Sequence, residues 1–158
     1  MAEPPKRPVP EASPKAPQKP IVIEKQGPLI ITTFWGKATD AEYAAYLDEM
    51  TAIIERTRHQ PQRQVVINDT TRWLNSNAVQ RRMQADWMLK YDAEMRFKTA
   101  GVAFVITSSL VRAGLNAIFW FAPLPCPHKI VATLEEAVAW AEEALKADAP
   151  RSSSSAGG

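Results

Sequence analysis

Apolar residues along this chain fall into two kinds of pattern, and the alternation between them predicts a series of elements. Short apolar or β-branched runs read as strands: IVIEK at 21–25, LIITTFW at 29–35, QVVI at 64–67, TAGVAFVI at 99–106 and HKIVA at 128–132. Gly27 and Pro28 place a turn between the first two, which makes them an antiparallel hairpin. Between the remaining strands apolar residues recur three and four positions apart, the mark of a helix with one buried face. Tyr43, Tyr46, Leu47, Met50, Ile53 and Ile54 form the first such stripe, ended by His59, Gln60 and Pro61. Val79, Met83, Trp87, Tyr91 and Met95 form the second; Val111, Leu115, Ile118 and Phe119 the third; Leu134, Ala137, Val138, Ala141 and Leu145 the fourth. Helix starts are marked by side chains able to satisfy the free N–H groups of a first turn: Thr39 with Glu42 as a capping box, Ser76 or Asn77, Thr107 or Ser108, and Thr133.

The element order is β-β-α-β-α-β-α-β-α. Strands separated by helices run parallel, because a crossover connection returns the chain in the same direction. The expected fold is α/β: a mixed, mostly parallel five-stranded sheet with four helices, spanning about 21–147. Residues 1–20 hold seven of the thirteen prolines and are expected to be a disordered, polyproline-like tail, a spacer more readily than a proline-motif ligand. DAPRSSSSAGG at 148–158 reads as a disordered end.

Charge changes the picture by what it excludes. The formal net charge of +2 resides in residues 1–20, where four basic residues face two acidic ones; the rest of the chain carries fifteen of each. A neutral body lacks the concentrated positive face that a phosphate backbone requires, so nucleic acid is not expected as a partner. The most apolar run, 113–125, is broken by Pro123 and is short of the roughly 20 apolar residues a bilayer span needs. With no apolar core segment near the start and a lone cysteine, Cys126, the expectation is a cytoplasmic protein without membrane insertion.

Catalytic chemistry is sought and not found. His59 lies in a polar turn and His128 beside a strand start, and Cys126 with His128 makes one Cys-x-His pair with no second pair to complete a metal site. Gly27, Gly36, Gly101 and Gly114 are isolated and form no phosphate-binding loop, although Gly114 inside a helix suggests close packing or a bend. No catalytic residue, metal or cofactor is assigned, and the chain is not read as an enzyme.

Aromatic residues are more suggestive. Ile118, Phe119, Trp120 and Phe121 are consecutive on the third helix, so their side chains point around it and one or two face outward unless the tail or the PLPCP segment covers them. Outward aromatics mark a protein interface, a surface for self-association or the lip of an apolar pocket. Arg72, Trp73, Arg112, Asn116, Trp120 and Phe121 are the candidate partner contacts. The alternative is a carrier of a small apolar ligand or lipid, its pocket lined by Trp73, Trp87, Phe119 and Trp120.

The element order, the strand VVIND leading into the hydroxyl-bearing stretch DTTRWLNS, and the closing HKIVATLEEAVAWAEEAL together resemble the STAS domain, in particular its SpoIIAA-like, STAS/SEC14-type members. That resemblance implies a non-enzymatic regulatory domain that binds a protein partner, or in some relatives a lipid or nucleotide. It also implies a phosphorylated serine or threonine in the elbow after the central strand, which here corresponds to Asp69, Thr70 and Thr71. Arg72 stands where the family has a glycine. A phosphate there would bring about −1.5 to −2 charges to a helix entrance; the simpler reading is a turn whose hydroxyls bond to local backbone.

Overall fold

Chain order and the handedness of crossovers dictate where the helices go. The computed structural model of this chain describes residues 19–156; residues 1–18 of the tail expected at 1–20, and residues 157–158, lie outside them. Its strands are β1 (Ile21–Gln26), β2 (Leu29–Gly36), β3 (Gln64–Trp73), β4 (Thr99–Val105) and β5 (His128–Val131), and they form one sheet in the spatial order of the sequence. β1 and β2 are the expected antiparallel hairpin, and every later neighbour pair is parallel. Because each step from β2 to β5 moves one place in the same direction, right-handed crossovers put all the connecting helices on one side of the sheet. These are α1 (Asp40–Thr57), α2 (Ala78–Lys90), α3 (Asp92–Lys98) and α4 (Ser109–Phe121). α5 (Leu134–Ala156) follows the last strand and covers the opposite side.

Two cores result. On the α5 side Val65, Ile67, Ala103 and Val105 pack against Ala137 and Ala141, and all six are fully buried. On the other side Ile30, Phe34, Val102, Phe104 and Ile106 meet Tyr43, Tyr46, Leu47 and Met50 of α1, Val111 of α4, and the partly buried Trp87 and Phe119. Caps form as their residue types require. Thr39 and Glu42 satisfy each other's N–H groups at 3.1 and 2.8 Å, Asn77 and Gln80 do the same, and Thr133 accepts from Glu136 N–H at 3.1 Å. Arg63 ties the lower end together, donating to Asp148 Oδ1 at 2.6 Å and to the carbonyls of Phe97 and Thr99 at 3.1 and 2.9 Å.

Two expectations need correction. Five helices replace four, because the stripe from Val79 to Met95 breaks at Tyr91 into α2 and α3. Within α2 the face is rotated from the expected one: Val79 is exposed, while Gln80 is buried and its amide donates to Ala38 O at 2.8 Å and Asp40 Oδ1 at 3.1 Å. The second correction concerns β3, which runs six residues beyond the expected Ile67.

Candidate functional site

The long β3 moves the elbow. Asp69, Thr70 and Thr71, expected in a turn at a helix entrance, are strand residues: Asp69 pairs with Thr33 of β2 and Val105 of β4, and Thr70 and Thr71 fall in the register shift that follows. The backbone ladder on both sides outweighs the turn propensity of an Asn-Asp-Thr-Thr stretch. Between the pairs Thr33↔Asp69 and Trp35↔Arg72, β3 advances three residues while β2 advances two. That one-residue bulge inverts the inside-outside alternation, so Thr70 and Trp73 both line the space under the helices. The true elbow is Leu74–Asn77, where Trp73 Nε1 donates to Ser76 Oγ at 3.1 Å and Asn77 caps α2.

The two threonines consequently differ. Thr70 Oγ1 donates to Val105 O at 2.7 Å, which fixes it against the neighbouring strand. Thr71 is exposed, and both its N–H and its hydroxyl donate to Asp69 Oδ1, at 3.1 and 2.8 Å. Neither hydroxyl bonds to local backbone as a turn would have it: one reaches a side-chain carboxylate two residues back and the other a carbonyl of the next strand. Arg72 is exposed and stacks its guanidinium 4.6 Å from the centre of the Trp35 ring, a cation–π contact. Trp73, named as a partner contact, is instead 6% exposed, with its ring edge-on to Phe34 at 5.3 Å.

Below Trp73 the helical layer stands away from the sheet and leaves a cavity of about 130 Å³. Its floor is Ile30 and Phe34 of β2, Val66, Asn68 and Thr70 of β3, and Val102, Phe104 and Ile106 of β4. Its roof includes Tyr46 and Met50 of α1, Trp87 of α2, and Leu115 and Phe119 of α4. Of the aromatic set expected to line a pocket, Trp73, Trp87 and Phe119 do so; Trp120 does not, being 84% exposed. Tyr43 bridges α1 and α2 by donating to Gln84 Oε1 at 2.8 Å, and burial raises its pKa well above the ordinary range. The lining was hidden from sequence reasoning in one respect: Asn68, expected to open the elbow, and its β2 register neighbour Thr32 carry buried oxygens with no hydrogen-bond partner among the described residues.

The remaining candidates lie on the outer surface of α4. Arg112, Asn116 and Trp120 are spaced four apart and all exposed, forming one stripe. Phe121 beside it is 58% exposed, with the Arg82 guanidinium 5.8 Å from its ring centre. Among the described residues, the PLPCP segment included, Ile118 is buried, and Trp120 and Phe121 face outward.

Elsewhere, burial holds the Cys126 thiol up at about 11, against the opposing influence of Arg63 and Arg96, so at neutral pH it is a protonated thiol and not a nucleophilic thiolate. Among the described residues no group of three or more His, Cys, Asp or Glu side chains is placed to hold a metal, and no helix is long and apolar enough to cross a membrane.

A mixed five-stranded sheet in chain order, with one antiparallel edge strand and the helices divided four to one, is the STAS, SpoIIAA-like fold. No family model matches the sequence, and no curated protein is similar to it. Among solved structures, the chain is similar to an uncharacterized DUF3478-family protein with a SpoIIAA-like fold from Shewanella loihica PV-4. The identity is 20%, the TM-score is 0.50, and the match covers 77% of this chain and 91% of that one. It is also similar to an anti-sigma factor antagonist from Mycobacterium paratuberculosis, at 13% identity and TM-score 0.50, covering 77% of this chain and 92% of that one. At these identities the likeness is one of fold.

Proposed function

We propose that this chain is a non-enzymatic regulatory domain that binds a protein partner through the outer stripe of α4, Arg112, Asn116 and Trp120, together with Phe121. The observation that carries this reading is the 84% exposure of Trp120 beside a 58% exposed Phe121. Tryptophan and arginine are the side chains over-represented among those that dominate protein interfaces, and an exposed aromatic pair flanked by polar residues matches the core-and-rim pattern of such surfaces. That a protein of like fold is an anti-sigma factor antagonist supports a regulatory role. Arg72 lies at the end of β3 as a further polar contact. Where a phosphate regulates the complex, Thr71 is its acceptor, since its hydroxyl is exposed and that of Thr70 is committed to Val105 O.

Affinity purification from the native cell, followed by reconstitution with the purified partner, tests the reading. Trp120→Ala is expected to weaken the reconstituted complex about thirtyfold, the size of an interface hot spot. Binding unchanged by Trp120→Ala and Phe121→Ala removes this surface as the contact. Phosphopeptide mapping of the same material reads Thr71 directly.

A further inference from the structure

The floor of the cavity has polar atoms where packing alone calls for apolar ones. Thr32 and Asn68 face each other in the β2–β3 register, at the middle of the two central strands. Thr32 is fully buried, with Ile30 and Phe34 two residues either side of it, and Asn68 lies between Val66 and Thr70 on the cavity floor. Thr32 Oγ1 and Asn68 Oδ1 are both shielded from solvent and have no partner among the described residues. A buried hydroxyl or amide without a hydrogen bond costs stability, and valine and leucine fit the same positions without that cost. Asn68, which lines the open space, and Thr32, its register neighbour, are therefore arranged for something that enters the space.

We infer that this cavity is a binding site for an uncharged molecule of about one six-membered ring bearing a hydroxyl or amide, held by Asn68 of its floor with Thr32 behind it. Size sets the first limit: about 130 Å³ is close to the volume that accepts a benzene-sized guest. Aromatic and aliphatic walls from Phe34, Trp87, Leu115, Phe119 and Phe104 favour a flat apolar body. Charge sets the second limit. The cations that line the cavity are already committed, Arg81 to Ser76 O and Lys98 to the carbonyls of Gln60 and Gln62, and Glu94 adds a carboxylate. A charged guest would be left unpaired at the centre, whereas a neutral group that both donates and accepts satisfies Asn68 and Thr32 together. Because Leu115 and Phe119 lie on the helix that bears Trp120, a guest would touch the underside of the surface argued above.

The test compares phenol with toluene, which share a shape and differ in the hydroxyl, by calorimetry and by the side-chain amide signals of isotopically labelled protein at neutral pH. Phenol is expected to bind about tenfold more tightly than toluene, the worth of a satisfied hydrogen bond in a dry site, and to shift the Asn68 amide signals. In Asn68→Leu the preference disappears while toluene still binds. Thr32→Val, close in shape, is expected to reduce the preference and stands in if Asn68→Leu does not fold. Equal affinities, or binding of neither probe to the wild-type protein, mean that the two oxygens serve water alone and overturn the inference.

Discussion

The two faces of this sheet are built to different standards. The side under α5 is closed by small and β-branched residues: Val65, Ile67, Ala103, Val105, Ala137 and Ala141 are each fully buried, and a single helix lies directly on them. The side under α1, α2 and α4 uses large aromatics, and these keep the layers apart enough to leave a cavity. Small side chains interlock with few options, while rings meeting edge to face, as Phe34 does with Tyr46 and Trp73, hold their neighbours at ring-centre separations above 5 Å. One face is therefore closely filled, and the other carries the cavity and the exposed stripe of α4.

The sharpest way to break this comparison is to make the same truncation on both faces. Ile67→Ala on the α5 side is expected to lower unfolding free energy by about 4 kcal/mol, near the upper end for such changes, because its surroundings are filled on all sides. Ile30→Ala is expected to cost about 2 to 3 kcal/mol, since Ile30 already borders empty space and has fewer contacts to lose. Chemical denaturation of both variants measures the gap. Equal losses mean that the two faces are packed alike.

Two glycines give the same contrast with opposite signs. A Cβ on Gly101 of β4 would lie 2.6 and 3.0 Å from ring atoms of Trp140 on α5. Gly101→Ala must displace that indole and is expected to cost about 2 kcal/mol. On Gly114 of α4 the nearest atoms to an added Cβ are Asn75 Oδ1 at 3.6 Å and Arg81 Cδ at 3.8 Å, an ordinary contact. Of the close packing or bend suggested there by the sequence, the close packing is absent, and Gly114→Ala is expected to stabilise the protein by about 0.5 to 1 kcal/mol through helix propensity alone. Thermal melts of the two variants should move in opposite directions.

Much of this division was legible in the sequence, and what was not has identifiable causes. Strand and helix types follow from apolar periodicity, whereas the four-to-one split of helices needs the spatial order of the strands, which periodicity does not contain. The end of β3 was not legible, because Asn68, Asp69, Thr70 and Thr71 have turn-forming side chains, and only the ladder that holds Asn68 and Asp69 on both sides and resumes at Arg72 carries the strand through them. Nor was the break at Tyr91, which has neither glycine nor proline beside it; the separate α3 brings Lys98 to the carbonyls of Gln60 and Gln62. The cavity was partly legible: three of its aromatics could be named in advance, since periodicity says which side chains share a face. It does not say how far apart two layers stand, so the unpartnered Thr32 and Asn68 had no signature beyond being polar residues in apolar strands.

The smallest expected effect sharpens the comparison through pH. Tyr43, Tyr46 and Cys126 all belong to the aromatic core, and burial raises the pKa of each. For Cys126 the shift is from the usual 9 to about 11. Between those values the unfolded chain releases a proton that the folded chain retains, so stability falls as pH rises through that window. The tyrosines act in the same direction, from their ordinary value near 10 upward. Lys98 opposes them: burial, reinforced by the Arg63 charge, lowers its pKa, so its buried cation is a penalty that alkali relieves. The α5 core contains no ionisable side chain among its buried members. Denaturation midpoints are therefore expected to decline modestly above pH 9, more steeply above 10, and Cys126→Ala should flatten the first part of that slope. Because Trp140 reports on the α5 core and Trp87 on the cavity, the fluorescence of single-tryptophan variants is expected to show the cavity side responding at lower pH; simultaneous transitions mean that the two faces unfold as one unit.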